Sequence, residues 1–451
     1  MTSPRLAAAR VLVALESSET TLAEEVERER PELADRRDQA LFLELAVGAT
    51  RMRAALDARI APHSRRPLQD LEPEIRAILR LAAYQLHHLD RVPVHALVHE
   101  SVQMTRRLQQ GRASGFVNAV LRSLVRRRQL NPLPSRPTER DSVEAALDYL
   151  SVTLSHPRWL VARWLDRHGL ASTEAWCRFN NASPDVVVRP PGQSAADLLG
   201  RLAQVGIEGA AACAYAPNAV RLPAGTLGRL PADLRQSLIV QDEGSQLVAW
   251  ATAARPGDRV LDVCAAPGGK TLLLAEAAGD AGFIAAADHR PGRIALLRQT
   301  LTRGTGHTTI VGLDAEKGLP FQTAFECVLL DAPCSGLGTL RRDPDIKWRR
   351  DASDLPVLAG RQRRMLAQAA DAVRPGGSLL YATCSSEPEE NDDVVAAFLA
   401  TDTRFVREPV SLPGLPAAAA AIDAEGYLRT RPFAHGLDAY FAARLVRRRA
   451  T

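Results

Sequence analysis

Arg259-Val-Leu-Asp-Val-Cys-Ala-Ala-Pro-Gly-Gly-Lys-Thr271 reads as a short apolar strand, a turn built on two glycines and the start of a helix. Working outward from it, the same alternation returns at Gly282-Phe-Ile-Ala-Ala-Ala-Asp288, Thr308-Thr-Ile-Val-Gly-Leu313, Cys327-Val-Leu-Leu-Asp331 and Ser378-Leu-Leu-Tyr-Ala-Thr-Cys384. Short apolar runs separated by helical segments imply a doubly wound, parallel α/β sheet of the Rossmann-like kind. A last candidate strand over 440–446 suits an antiparallel edge.

Ligands of such a sheet bind beyond the carboxyl ends of its strands, near the point where strand order reverses. After the first strand, Gly268 and Gly269 permit close backbone approach at a helix start. The spacing is neither G-x-G-x-x-G nor that of a phosphate-binding loop, which argues against dinucleotide and nucleoside triphosphate ligands. Asp288 ends the second strand, where a carboxylate can accept hydrogen bonds from ribose hydroxyls, and Asp314 follows the third. Each aspartate alone would serve equally as a turn or helix cap. Together, without a phosphate cradle, they suit an adenosine ligand carrying a positive sulfonium.

The fourth and fifth strands run into Asp331-Ala-Pro-Cys-Ser335 and Ala382-Thr-Cys-Ser385. Cys334 and Cys384 therefore stand at the ligand edge, whereas Cys177, Cys213 and Cys327 read as small buried hydrophobes. A thiolate in that place fits one demanding reaction. Carbon 5 of cytosine is a poor nucleophile until a thiolate adds at carbon 6 and makes it enamine-like. Asp331 is placed to act as the acid near ring nitrogen 3, and the second thiol to assist release. Spacing alone leaves open which cysteine attacks.

Ahead of this region the chain changes character. Over residues 1–130 apolar side chains recur at helical spacing, ending in helices expected over 94–109 and 116–128 around a glycine-punctuated turn. Three prolines then mark a linker over 131–139, and residues 140–235 read as a small α+β segment with a helix over 159–168, a strand over 186–189 and a helix over 194–205. The methyl-transfer-like sheet domain would occupy 236–451. Residues 1–130 carry 21 arginines against 16 acidic side chains, and the remainder is balanced, so the net charge of +5 sits at the front. Arg106, Arg107, Arg112, Arg122 and Arg126 lie in a stretch, 101–130, that has no acidic residue, as a phosphate-binding surface would need. A solvated arginine-rich helix pair would look the same.

Of 57 basic residues only Lys270, Lys317 and Lys347 are lysines, which directs attention to places that need a compact ammonium. The six cysteines form no C-x-x-C pair and lack histidines at ligand spacing, so no metal site and no disulfide framework is expected. With no long apolar run, the expectation is a reduced, cytoplasmic, membrane-free monomer.

The motifs Val263-Cys-Ala-Ala-Pro-Gly-Gly-Lys-Thr271, Leu330-Asp-Ala-Pro-Cys-Ser335, Arg341-Arg-Asp-Pro-Asp-Ile-Lys-Trp348, Tyr381-Ala-Thr-Cys-Ser385 and Glu387-Pro-Glu-Glu-Asn391 resemble those of the Sun/RsmB (Fmu) ribosomal RNA cytosine-5 methyltransferases. The resemblance covers nearly the whole chain and implies an all-α NusB-like RNA-binding front, a small α+β middle segment and a class I methyltransferase domain. It implies S-adenosylmethionine as cofactor, held by Cys264, Ala265, Ala266, Pro267, Gly268, Gly269, Lys270, Asp288, Asp314 and Asp331. It further implies Cys384 as nucleophile, which leaves Cys334 as the thiol that assists release, and small-subunit ribosomal RNA as partner. Lys347, beside Trp348, would meet the RNA. A transfer RNA methyltransferase, a non-catalytic RNA-binding assembly factor and a small-molecule methyltransferase are the competing readings.

Overall fold

The computed structural model describes residues 3–449 apart from 18, 34, 91, 129–131, 139 and 305, and the chain divides into two compact units. The first comprises Met1–Ala182 together with Leu340–Ala352. Its helices include Pro4–Ala14, Leu22–Glu29, Arg36–Arg51, Pro73–His88, Val94–Arg107 and Ser114–Arg126. Their starts are written in the sequence. Ser3 accepts from the Leu6 amide, Asp35 from the Asp38 amide, and Thr21 with Glu24 forms a reciprocal capping box. Helix Pro73–His88 is buried continuously from Ala77 to Leu86, as expected of the central member of a bundle. Arg80, on its core side, meets Asp57 at 2.7 and 2.9 Å and Glu16 at 2.6 Å, so its charge is buried with partners.

Residues 140–182, expected to open the small α+β segment, group with the helical unit by their contacts. Arg158–Asn181 is built of two helical stretches that meet at Gly169, whose φ of 71° and ψ of 172° lie outside the helical region. Glycine takes that backbone at little steric cost, and the helix expected over 159–168 ends there. Asn131 and Glu139, the ends of the expected linker, lie outside the described residues. The described part between them has no helix or strand yet is tethered, with Thr153 donating to Pro134 O at 2.7 Å and Arg136 pairing with Glu174 at 2.6 Å.

Segment Leu340–Ala352 is the other unexpected member. Lys347 lies only 1% exposed, and its ammonium donates to Arg51 O at 3.3 Å, Ser155 O at 3.1 Å and Asn181 Oδ1 at 2.8 Å. This corrects the expectation that Lys347 contacts RNA: its three donors are consumed inside the unit. Trp348 is likewise seated, Nε1 donating to Thr50 O at 2.7 Å with the Arg53 guanidinium 5.5 Å from its ring.

Burial lowers the Lys347 ammonium from the ordinary 10.5 to about 7. Between those values the unfolded chain binds a proton that the folded chain does not, so stability rises with pH through that window. Lys347→Met is expected to flatten that rise in thermal unfolding of the full chain, and to cost about 1–3 kcal/mol at neutral pH through the carbonyls left unpaired. An unchanged slope would place the titrating group elsewhere.

The second unit comprises Ser183–Thr339 and Ser353–Thr451. Its smaller sheet has strands β1 (Val186–Arg189), β2 (Ala211–Ala212), β3 (Val220–Leu222) and β4 (Ile239–Val240) in the antiparallel order β2-β3-β1-β4. Val188, Leu198, Leu202, Val220 and Leu222 form the core between this sheet and helix Ala195–Gln204.

The larger sheet holds β5 (Arg259–Asp262), β6 (Phe283–Asp288), β7 (Thr308–Gly312), β8 (Phe325–Asp331), β9 (Val373–Thr383), β10 (Phe405–Glu408), β11 (Leu428–Arg429) and β12 (Phe441–Arg447). Its order is β10-β12-β9-β8-β5-β6-β7, with β11 paired to β12. Strands β5 to β9 are parallel, and β5 pairs with β6 on one side and β8 on the other, which puts the order reversal between β5 and β8. Strand β12 is antiparallel, as expected, but it lies between β9 and β10 rather than at the edge. Its Phe441, Ala442, Ala443 and Leu445 are accordingly buried, an interior strand's pattern. Among the described residues no helix is long and apolar enough to cross a membrane.

Candidate active site

Strand β5 delivers Asp262 to the sheet edge, and the chain turns through Val263–Gly268 into helix Gly269–Ala278. Gly268 has φ 108°, and a Cβ there would stand 3.0 Å from Leu297 Cδ1 and 3.2 Å from Thr300, so conformation and space both require glycine. A Cβ on Gly269 would meet the Gln241 side-chain amide at 3.1 Å. Arg189, 2% exposed on β1, steadies the same turn by donating to Gly269 O at 3.3 Å while pairing with Glu276 at 2.8 Å. The sequence offered no signal for that arginine beyond its place in a strand.

Asp288 is 4% exposed at the end of β6 and takes the Ala266 amide at 3.3 Å, the His289 amide at 2.9 Å and Arg293 Nε at 3.2 Å. It thereby fixes residues 264–267 against the second strand. Asp314, past β7, is half-buried and accepts from the Glu316 amide at 3.1 Å. That bond, with Lys317 nearby, holds its carboxyl below the ordinary range. Burial pushes the Cys264 thiol well up, leaving it a neutral wall. Burial likewise raises Asp262 to about 7, against the Thr271 hydroxyl that donates to it at 2.7 Å.

Lys270, the first residue of that helix able to reach inward, pairs its ammonium with Asp331 Oδ2 at 2.7 Å and lies 5.9 Å from the centre of the Tyr440 ring. Burial penalises the charge, yet the field and hydrogen bond of Asp331 lift the ammonium above its ordinary value. Cys384 is close enough to add to that field. A charged pair is thus held beside the thiols.

Strands β8 and β9 run parallel with Asp331 opposite Ala382, which brings the loops after them together. The Cys334 and Cys384 sulfurs are 3.1 Å apart. The hydrogen bond with Cys384, burial and the Glu390 carboxylate push the Cys334 thiol well up, keeping it protonated. Gly338 seals the loop, its amide donating to Cys384 O at 2.9 Å; a Cβ there would lie 2.0 Å from Ala439 O. Gly338 and Glu390 both went unassigned from sequence. Cys177 and Cys327 are buried and Cys213 half-buried.

The structure therefore brings Cys334, Cys384, Lys270 and Asp331 into one cluster, with the glycine turn and Asp288 beside it. In the helical unit, Arg106, Arg107, Arg112, Arg122 and Arg126 are all exposed on helices Val94–Arg107 and Ser114–Arg126 and the turn between them. A groove of about 1000 Å³, with Val98 and Val102 on its floor and His99, Asn118, Arg122 and Arg126 around it, runs between those helices. Among the described residues no group of three or more His, Cys, Asp or Glu side chains is placed to hold a metal.

Known families match the chain in order: the NusB family over residues 2–126, an RsmF/B-like ferredoxin-like domain over 156–226, and the 16S rRNA methyltransferase RsmB/F family over 249–446. The ribosomal RNA small subunit methyltransferase B of Pseudomonas putida is 37% identical over 407 residues, covering 88% of this chain and 89% of that one. The probable enzyme of the same name from Bacillus subtilis is 34% identical, covering 91% and 90%. A solved methyltransferase homolog from Pyrococcus horikoshii is 26% identical with a TM-score of 0.57, covering 68% of this chain and 100% of its own. With relatives at this identity aligned over about nine-tenths of the chain, and with the family's own model matching the thiol-bearing sheet, the chain belongs to the RsmB/F family of 16S rRNA methyltransferases.

Proposed function

We propose that this protein transfers a methyl group from S-adenosylmethionine to carbon 5 of a cytosine in small-subunit ribosomal RNA, through a covalent bond between Cys384 and carbon 6. The observation that carries this reading is the pair of thiols 3.1 Å apart at the ends of adjacent parallel strands, beside the Lys270–Asp331 pair. A hydrolase or a simple O-methyltransferase has no use for two thiols there.

The cofactor turn suits its ligand: Gly268, at φ 108°, carries the backbone into the helix without a side chain, and Asp288, Asp314 and Asp331 offer carboxylates to hydroxyls and a sulfonium. When bound, S-adenosylmethionine supplies an electrophilic methyl group. The chain's own residues do the rest. The Cys384 thiolate forms the bond to carbon 6 while the Lys270–Asp331 pair holds a proton at ring nitrogen 3, which leaves carbon 5 electron-rich. After methylation a water acting as base takes the carbon 5 proton, the carbon 6–sulfur bond breaks to return the Cys384 thiolate, and nitrogen 3 returns its proton to the Lys270–Asp331 pair. Cys334, against the departing sulfur, assists that release.

Reaching Cys384 requires the base to leave any stack in folded RNA, and the exposed arginines of the helical unit suit the holding of the surrounding backbone. Arg122→Glu with Arg126→Glu is expected to weaken RNA binding by about tenfold or more at ~0.1 M salt and to reduce its salt dependence, with cofactor affinity unchanged. Binding that ignores the double change would remove these two arginines from the interface. Point changes are preferable to deleting residues 1–130, which would strip Lys347 of Arg51 O.

Incubation with labelled cofactor and small-subunit ribosomal RNA, followed by bisulfite sequencing, tests the whole reading. One protected cytosine is expected. Methyl groups found only on transfer RNA would move the substrate, and none on any RNA would favour an assembly factor.

A further inference from the structure

Glu390 closes the short helix Pro388–Glu390 after β9 and is wholly buried. Its carboxylate accepts from four neutral donors. Oε1 takes the Ser335 amide at 2.8 Å and Gln362 Nε2 at 2.9 Å; Oε2 takes the Ser335 hydroxyl at 2.5 Å and the Ser385 hydroxyl. Ser335 follows Cys334, and Ser385 follows Cys384. The two hydroxyls also meet each other at 3.2 Å. Gln362 further donates to Pro333 O at 3.0 Å, and the neighbouring Asn391 donates to Ser385 O at 3.0 Å while accepting from Thr383 at 2.6 Å. One carboxylate thus ties together the loops that carry both thiols.

A buried carboxylate is costly unless its lone pairs are occupied, and an apolar side chain would pack this site without that cost. A carboxylate, however, offers acceptors to an amide, two hydroxyls and a side-chain amide at once. We propose that Glu390 is a positioning residue of the reaction, setting Cys334 against Cys384 so that the second thiol is in place when the first must leave the base. The role rests on the covalent reading above. Attack on carbon 6 needs Cys384 alone, whereas release needs the two thiols in register. Loosening that register should therefore slow release more than attack.

The test uses the full chain with labelled cofactor and small-subunit ribosomal RNA, comparing wild type, Cys334→Ala, Glu390→Ala, Glu390→Gln and Ser385→Ala. Glu390→Ala is expected to lower kcat by about tenfold or more, with cofactor affinity kept, and to leave RNA-linked protein on a denaturing gel as Cys334→Ala does. Glu390→Gln keeps an acceptor for the amides and places its NH2 at hydroxyls that can turn to accept, so it should recover most of the lost turnover. Ser385→Ala, which removes one donor, keeps the fold testable if Glu390→Ala does not: it should show a smaller loss of the same kind at wild-type thermal stability. Joint loss of cofactor affinity, turnover and thermal stability without adduct, or wild-type turnover in Glu390→Ala, overturns the role. If Cys334→Ala itself gives no adduct while wild type methylates, the covalent reading falls first and takes this role with it.

Discussion

Cys384→Ala is expected to lose at least about 10³-fold in methyl transfer while binding cofactor and RNA as wild type does. The size follows from the chemistry. Without a sulfur to add at carbon 6, carbon 5 keeps its aromatic reluctance, and neither the Lys270–Asp331 pair at 2.7 Å nor good positioning supplies a nucleophile. The selectivity follows from the structure. Cys384 is half-buried against an apolar cluster, so alanine removes one atom from a place that tolerates it, and the cofactor turn rests on Asp288, Gln241 and Arg189 instead. Filter binding and methyl incorporation, measured on one preparation, separate the two effects.

Cys334→Ala should fail in a different way. Attack remains available, but the 3.1 Å partner that assists release is gone, so turnover is expected to fall by about 10²-fold or more while enzyme accumulates on the RNA through a bond that survives denaturation. If Cys384→Ala traps RNA and Cys334→Ala is merely inert, the two roles exchange.

The parallel strands and most strand-end residues were legible from sequence because a parallel sheet places its chemistry at predictable positions, and Asp262, Asp288, Asp331 and Cys384 fall at or just beyond strand ends. The exposed arginines of helices Val94–Arg107 and Ser114–Arg126 were legible for a similar reason, since an amphipathic period separates core from surface. What sequence could not give depends on partners distant along the chain. Lys347 looks like any basic loop residue until Arg51, Ser155 and Asn181 close around it, 296, 192 and 166 positions away. The scarcity of lysine did point to it, and the physical need is visible: three N–H donors of an ammonium meet three oxygen acceptors, a fit that a planar guanidinium does not offer. Glu390 lay within a motif noticed for its pattern alone, and its purpose emerges only when Ser335, 55 residues away, turns toward it. Strand β12 is antiparallel as its place after a helix and loop suggests, but it is not the edge, because β10 pairs with its far side.

The most direct test of the central claim is to supply small-subunit ribosomal RNA carrying tritium at carbon 5 of its cytosines, with S-adenosylmethionine labelled on the methyl group by carbon-14. Attack by Cys384 followed by methylation at carbon 5 must expel the hydrogen that was there, so one tritium should enter water for each methyl group that enters RNA. Methyl incorporation with all tritium retained would contradict the account, placing the modification on another atom and leaving the paired thiols without the role assigned to them.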